Sequence, residues 1–397
     1  MTPALPDDVF CVLPWVHVNG SVDGVWGRCC VDGSAYYDEL YQRDKEPSFS
    51  LRPDALGCVA GSRYAQANPD RVFGIEAAFN SPNLRQTRLA MLARQRVPAC
   101  SYCYQREDGG GRSYRQHMND WFSQRVNVAD LVGRTELDGA LPNTFPVFLD
   151  IRFGNSCNLR CIMCGYPVSS RWGLDKHPSW APAHVDPYRE DEELWAELRA
   201  HATTLRRVYF AGGEPFMQPG HFRMLDLLIE TGAAAAIDVV YNSNLTILPD
   251  GVFGRLARFR SAGIGASCDG TEEVFERIRV GASWDGFVRN VRTARDHVRL
   301  WLQVSPQRDN VTHLGEIVDF AVAERIGIDL TNFVHWPAEL SVRNLPPAPR
   351  SEAMRYLAGL AARCRDRRLP DVAAQVEMLA QFAQSNAEAG QDDVPER

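Results

Sequence analysis

Residues 146–166 read PVFLDIRFGNSCNLRCIMCGY. The opening PVFLDIRF (146–153) is a short apolar run rich in Val, Ile and Phe, the composition of a buried strand. The overlapping FGNSCNLRCIMCGY (153–166) sets Cys157, Cys161 and Cys164 at the spacing Cys-x3-Cys-x2-Cys on the loop that follows. Thiolates are the ligands that select zinc or iron–sulfur clusters. A structural zinc site is closed by four protein ligands. Three cysteines on one short loop leave a metal position open, and on iron that position can take a substrate or cofactor.

Working outward from this loop, apolar runs alternate with helical patterns. Further strands are expected at 206–212, 237–242, 263–267, 300–305 and 328–334. Helices are expected at 191–202, 220–231, 251–260, 285–297 and 313–325. Strands separated by helices argue for parallel βα units, and six of them over this length suit an open or partial barrel. The proline-bearing segment 172–190 reads as a long loop or insertion, 350–385 as one or two helices, and the acidic end from Glu388 as disordered. Upstream, helices are expected at Asn83–Arg96, with Ser81 and Pro82 opening it, and near Tyr114–Val126. Short strands and loops are expected elsewhere in 1–144.

The second strand ends on Gly212-Gly213-Glu214-Pro215. Two glycines let a backbone approach a ligand closely, and Glu214 can accept from an ammonium group. The same four residues would also make an ordinary strand-to-helix turn.

The chain has 11 cysteines, nine of them within the first 164 residues. In CVLPWVHVNGSVDGVWGRCC (11–30), Cys11 is followed by twelve residues, Gly24, four residues and Cys29. CSYC (100–103) and Glu107 come later. Two separated cysteine pieces that converge make a four-thiolate site, and spacing alone does not choose between zinc and a fully ligated cluster.

The stretch from about Phe148 to His335 resembles the radical S-adenosylmethionine (SAM) superfamily in motifs and in order of elements. The resemblance implies a partial (β/α)6 barrel in which Cys157, Cys161 and Cys164 bind a [4Fe-4S] cluster. The fourth iron would hold the amino and carboxylate groups of SAM, and Gly212, Gly213, Glu214 and Pro215 would contact the SAM amino group. Asn244 in YNSN (241–244), Ser267 in ASCDG (266–270) and Arg279 in RIRVG (277–281) match positions that hold SAM in related enzymes. Met163 stands where the superfamily often has an aromatic residue; a thioether can also pack on a ring.

The N-terminal cysteines look like the auxiliary-cluster module of SPASM and twitch enzymes, here placed before the barrel. The resemblance implies an α+β domain over 1–144 whose Cys11, Cys29, Cys100 and Cys103 bind a second [4Fe-4S] cluster, with Cys30 competing with Cys29. The barrel would span 145–345, with a helical segment and tail over 346–397. Such an enzyme would take electrons from a donor such as flavodoxin or ferredoxin. It would cleave SAM and abstract a hydrogen atom from a small polar metabolite or a peptide; no added peptide-recognition domain is apparent. The auxiliary cluster would oxidise the substrate radical, bind substrate or supply sulfur. A non-catalytic iron–sulfur or zinc protein on a degenerate barrel is the contrasting reading, and the intact GGEP and cysteine triad argue against it.

Other residues have blander expectations. Asp150 and Arg152 share one strand face and, if buried, should pair or bind a polar substrate. Cys268 should point away from Ser267, His17 should be structural, Cys58 a packed or surface thiol, and Trp284 core or a lid. The formal charge is −7, with 45% hydrophobic and 23% charged residues. This fits a globular enzyme and lacks the basic footprint of a nucleic-acid binder. The start MTPALPDDVF has no signal-peptide pattern and no apolar run approaches membrane-span length, so a cytoplasmic protein with reduced thiols is expected.

Overall fold

Alternation along the strands, two faces of opposite character, organises the protein. The computed structural model describes residues 8–22, 24, 26–30, 74–108, 110–165, 168–172, 186–335 and 337–385. Cys58, most of the 172–190 insertion and the acidic tail lie outside them. The strands are β1 (His17–Gly20), β2 (Trp26–Gly27), β3 (Phe148–Ile151), β4 (Arg160–Cys161), β5 (Arg207–Phe210), β6 (Asp238–Ser243), β7 (Ser261–Ser267), β8 (Arg279–Val280), β9 (Arg299–Gln303) and β10 (Gly327–Asp329). The helices used below are α1 (Leu13–Val16), α2 (Pro82–Leu92), α3 (Ser101–Asp108), α4 (Tyr114–Ser123), α5 (Glu192–His201), α6 (Pro219–Glu230), α7 (Glu272–Ile278), α8 (Trp284–Arg295), α9 (Leu314–Glu324), α10 (Pro347–Asp366) and α11 (Pro370–Gln384).

All six expected strands form, as β3, β5, β6, β7, β9 and β10, and helices separate them, a mostly parallel α/β architecture. The 350–385 segment is two helices, α10 and α11. The expected helix at 251–260 is only Val252–Leu256, and the expected strand at 328–334 is only Gly327–Asp329. CSYC does not lie in a loop: Ser101 starts α3, so Cys103 is on a helix and Cys100 just ahead of it.

The chain divides into two compact units. The first comprises Met1–Cys157, Tyr166–Tyr241 and Gly254–Ala262; the second comprises Asn158–Gly165, Asn242–Phe253 and Gly263–Arg397. In the first, β5 and β6 are parallel neighbours, β3 is parallel to β5, and β1 is parallel to β3 on the other side. The two-residue β2 pairs antiparallel to β1. The N-terminal cysteine segment is therefore continuous with the sheet that begins at residue 148. In the second unit β7, β9 and β10 are parallel, and β4 pairs antiparallel with β8.

Register fixes the two faces of the first unit's sheet. His17, Phe148 and Arg207 share one rung, and Asn19, Asp150 and Tyr209 the next rung on the same face. Val18, Leu149 and Val208, then Ile151 and Phe210, occupy the other face, and all are buried. Helices α5 and α6 cover this apolar face. Phe153 stacks on Trp195 of α5 at 5.7 Å. A Cβ at Gly220 of α6 would come within 2.5 Å of the Phe153 ring, so glycine there lets the helix close on it. Burying one such aromatic side chain contributes about 1.5–3 kcal/mol.

Helix α4 packs on the polar face. Phe122 meets Phe148 at 6.0 Å, and the Arg207 guanidinium lies over Trp121 at 4.8 Å. Its start is a capping box: Ser113 Oγ accepts from the Gln116 N–H while Gln116 accepts from the Ser113 N–H. In the second unit Trp284, expected in the core or a lid, is half-buried in an aromatic cluster with Phe275, Phe287 and Phe320. Among the described residues, no helix is long and apolar enough to cross a membrane.

His221 of α6 is fully buried, with Nε2 3.0 Å from the Tyr241 hydroxyl. Burial lowers its pKa from 6.5 to about 3, with Arg255 adding to the effect. The unfolded chain binds the proton more tightly, so the stability from neutral His221 is complete above about pH 6.5 and is lost as pH falls towards about 3. Replacing His221 and Tyr241 together by Phe should flatten the acid limb of stability against pH by about 1.4 kcal/mol per unit. Urea unfolding across about pH 4 to 6 measures this, and an unchanged slope would contradict it.

Candidate metal and cofactor site

The triad loop leaves β3 with its backbone engaged. In the first unit the Cys157 N–H donates to Ser170 Oγ at 3.2 Å. In the second, Cys161 is buried on β4 opposite Arg279 of β8, and the Cys164 N–H donates to the Cys161 carbonyl at 3.0 Å. Arg279 Nη1 donates to Cys161 Sγ at 3.6 Å, and Nη2 pairs with Asp269 at 2.6 Å. Burial pushes the Cys161 thiol up, and Arg279 works against that by favouring the thiolate. A thiolate is the form that binds metal.

Asp269 is the functional neighbour that sequence reasoning passed over. It is fully buried. Its Oδ1 accepts from the Ser305 N–H at 2.6 Å, and its backbone carbonyl accepts from Asn310 Nδ2 at 3.0 Å. The available signal was its place in ASCDG, two residues beyond the strand end at Ser267. Arg279, expected to reach SAM, is thus held by Asp269 against a triad cysteine, while its Nε has no partner among the described residues. Asn244 donates to Asn158 Oδ1 at 2.9 Å and accepts from the Thr246 N–H and hydroxyl. It thereby ties the end of β6 to the loop between Cys157 and Cys161. Ser267 is half-buried at the end of β7, opposite Gln303. Cys268, its neighbour, is fully buried and donates to the Gly270 carbonyl at 3.3 Å; burial raises its pKa to about 12.

The glycines of GGEP answer a close approach of backbones in the first unit. Gly212 has φ +109°, and a Cβ there would be 2.9 Å from the Gly154 carbonyl oxygen. A Cβ on Gly213 would be 2.2 Å from the Ser156 oxygen. The Gly213 and Glu214 N–H groups donate to the Gly154 and Ser156 carbonyls at 3.0 and 2.8 Å, and Gln218 Nε2 donates to Ser156 as well. Glu214 is fully buried and its Oε1 accepts from the Phe216 N–H at 3.2 Å, capping the short Pro215–Met217 turn. GGEP therefore clamps residues 154–156, the run-up to Cys157.

The N-terminal cysteines are gathered by α4. Cys11, Cys100 and Cys103 lie close enough that each of the latter two disfavours ionisation of Cys11, whose pKa is raised first of all by burial. Cys11 also accepts from the Leu13 N–H, and Cys103 from the Arg115 N–H. Asn119 accepts from the Val12 N–H at 2.8 Å and donates to the Phe10 carbonyl at 2.9 Å, pinning the segment around Cys11. Cys29 and Cys30 follow β2 and are felt electrostatically at Tyr114, the first residue of α4; Cys30 is also felt at Tyr209.

Among the described residues, no group of three or more His, Cys, Asp or Glu is arranged to hold a metal ion. A four-iron cluster places each thiolate on a different iron. What fits such a group here is the donor chemistry: Cys11, Cys103 and Cys161 each receive an N–H donor, and hydrogen bonds to the sulfurs are among the features that set cluster potentials.

On the polar face Asp150 and Arg152 form the expected pair at 2.9 Å. The pair leaves Asp150 Oδ2 without a hydrogen-bond partner among the described residues, although Asp150 is fully buried. His17 is also fully buried; its Nδ1 lies 3.0 Å from the Arg28 carbonyl, so Nδ1 carries the proton and Nε2 is an acceptor with no partner among the described residues. Burial lowers its pKa to about 4. Among the described residues, Asn19 Nδ2 and Arg207 Nε on this face are likewise without a partner.

Residues 151–320 match the model of the radical SAM superfamily. These residues form a radical SAM superfamily domain. It contains the cysteine triad, GGEP and the Asp269–Arg279 pair. No curated protein sequence matches the chain. Among solved structures it is similar to native anSMEcpe with bound AdoMet, at 16% identity over 56% of this chain and 63% of that one, with a TM-score of 0.44. It is similar also to SuiB of Streptococcus suis, at 14% identity over 72% of this chain and 63% of that one, TM-score 0.42. Coproporphyrinogen III oxidase of Escherichia coli gives 16% identity over 54% and 52%, TM-score 0.33. The chain thus covers under two thirds of the length of each of these proteins.

Replacing Gly213 by Ala forces a methyl group against the Ser156 carbonyl, an overpacking of about 1–3 kcal/mol. The variant should fold with a lower melting temperature and lose iron from the triad. Differential scanning fluorimetry and iron analysis check this; a variant with wild-type stability and iron content would contradict the clamp.

Proposed function

We propose that the chain is a radical SAM enzyme acting on a small polar substrate, with a second iron–sulfur cluster in its N-terminal part. The observation that carries the reading is a complete cysteine triad inside the superfamily domain, one of whose sulfurs, that of Cys161, accepts a hydrogen bond from the half-buried Arg279. Cys157, Cys161 and Cys164 would hold a [4Fe-4S] cluster, leaving one iron for SAM. With an electron from a donor such as flavodoxin or ferredoxin, the chemistry this cluster would supply is reductive cleavage of SAM and, through it, removal of a hydrogen atom from the substrate.

The protein's own residues position and shield. Gly212 and Gly213 bring the backbone onto residues 154–156, and Glu214, Asn244, Ser267 and Arg279 are the proposed contacts to SAM. Asp269 holds Arg279 in place. Cys11, Cys29, Cys100 and Cys103 are the proposed ligands of the second cluster, whose four thiolates leave no iron open. This suits electron transfer from the substrate radical better than SAM binding. A polar substrate is supported by the buried acceptors Asp150 Oδ2 and His17 Nε2 and the donor Asn19 Nδ2, which have no partner among the described residues. Leaving such groups unsatisfied costs about 1–3 kcal/mol each, and a substrate rich in hydroxyl or amino groups would satisfy them.

Protein purified without oxygen, reconstituted and chemically reduced should contain about eight irons and form 5′-deoxyadenosine from SAM. Replacing Cys157, Cys161 and Cys164 by Ala should remove about four irons and abolish cleavage. Zinc in place of iron, or intact clusters without cleavage, would contradict the reading.

A further inference from the structure

Beside the N-terminal cysteines lies a buried ion pair that the reading above does not use. Arg115, the second residue of α4, has a side chain only 2% exposed, and Glu107 of α3 is 13% exposed. The pairing is a two-pronged fork: Nε donates to Glu107 Oε1 at 2.9 Å and Nη2 pairs with Oε2. Arg115 Nη1 donates to the Phe10 carbonyl at 2.5 Å, the residue before Cys11, while the Arg115 N–H donates to Cys103. One residue is therefore bonded to both cysteine-bearing segments. The Ser113 hydroxyl donates to Glu107 Oε1, fixing the carboxylate from the other side.

Such a pair is expensive as a means of stability. Two charges leave water, and their attraction largely repays that loss without clear gain. A structural clamp on the Phe10 carbonyl needs no charge, since Asn119 already donates to the same oxygen at 2.9 Å. What a fixed buried cation next to thiolates does supply is an electrostatic potential. The Coulomb interaction is strong where water is excluded, and net charge and hydrogen bonds to sulfur are the levers by which a protein sets a cluster's reduction potential.

We infer that Arg115 and Glu107 form a charge pair that sets the reduction potential of the cluster held by Cys11, Cys29, Cys100 and Cys103. Arg115 raises the potential by stabilising the extra electron, and Glu107 restrains that effect. The inference rests on the proposed second cluster. Arg115 acts here as a positioning and electrostatic residue and touches no substrate.

The test is an EPR-monitored redox titration of the reconstituted full-length chain, with iron and zinc counted in every sample. Arg115→Gln should make one of the two clusters harder to reduce, lowering its reduced-to-oxidised ratio at a fixed solution potential by about tenfold, which is about 59 mV for one electron. Glu107→Gln should shift the same cluster in the opposite sense, and Arg115→Lys should stay near wild type. A merely structural pair would shift the potential the same way in both Gln variants, or leave it unmoved, with iron retained; either result overturns the inference. Should Arg115→Gln lose iron, Glu107→Gln decides alone, and an unshifted or lowered potential there overturns the inference. A wild-type chain with only one cluster, or with zinc at the N-terminal cysteines, overturns the underlying reading and the inference with it.

Discussion

The first unit depends on one constraint: a sheet with one face sealed under helices must send every second side chain to the other face. Val18, Leu149, Val208, Ile151 and Phe210 take the sealed face. His17, Asn19, Asp150, Arg207 and Tyr209 are thereby forced onto the opposite one. Arg207 and Tyr209 keep partial exposure while Val208 and Phe210 are buried. The polar face consequently carries the ionisable side chains of this sheet, and a one-residue slip in any strand would exchange the two sets.

Helix α4 is the element that joins this face to the N-terminal cysteines. Trp121 and Phe122 pack on Arg207 and Phe148. Arg115 and Asn119 grip the backbone around Cys11, and Tyr114 feels Cys30, Cys29 and Asp150 electrostatically. A helix shared in this way keeps the proposed second cluster and the polar face in one packed body. That arrangement is what electron removal from a bound substrate would require. In the second unit the Asp269–Arg279 pair plays the corresponding part for Cys161.

Much of this was legible in the amino-acid sequence because it is local. Apolar runs such as 237–242 and 300–305 and the intervening helical periodicity mark most of the βα units within a residue or two; the helix at 251–260 and the strand at 328–334 come out shorter. The spacing of Cys157, Cys161 and Cys164 is visible on one short loop. What escaped is non-local. Nothing near HVNG says that β1 will pair in register with β3, far along the chain, and so carry His17 onto the sheet. The partnership of Arg279 with Asp269 depends on a strand end and a helix end meeting. Glu107 was conspicuous only as a neighbour of CSYC, and its buried arginine partner lies on the next helix. The glycines of GGEP were expected to face a ligand; their nearest obligation is to the carbonyls of Gly154 and Ser156.

The central claim is that the triad holds a cluster with one iron open to SAM, beside a second, closed cluster. EPR of the reduced chain recorded with and without SAM tests it most directly. The account predicts two cluster signals, of which only the one lost in the Cys157, Cys161 and Cys164 variants changes when SAM is added. Two signals that both ignore SAM, or a SAM response that survives removal of the triad, would contradict it.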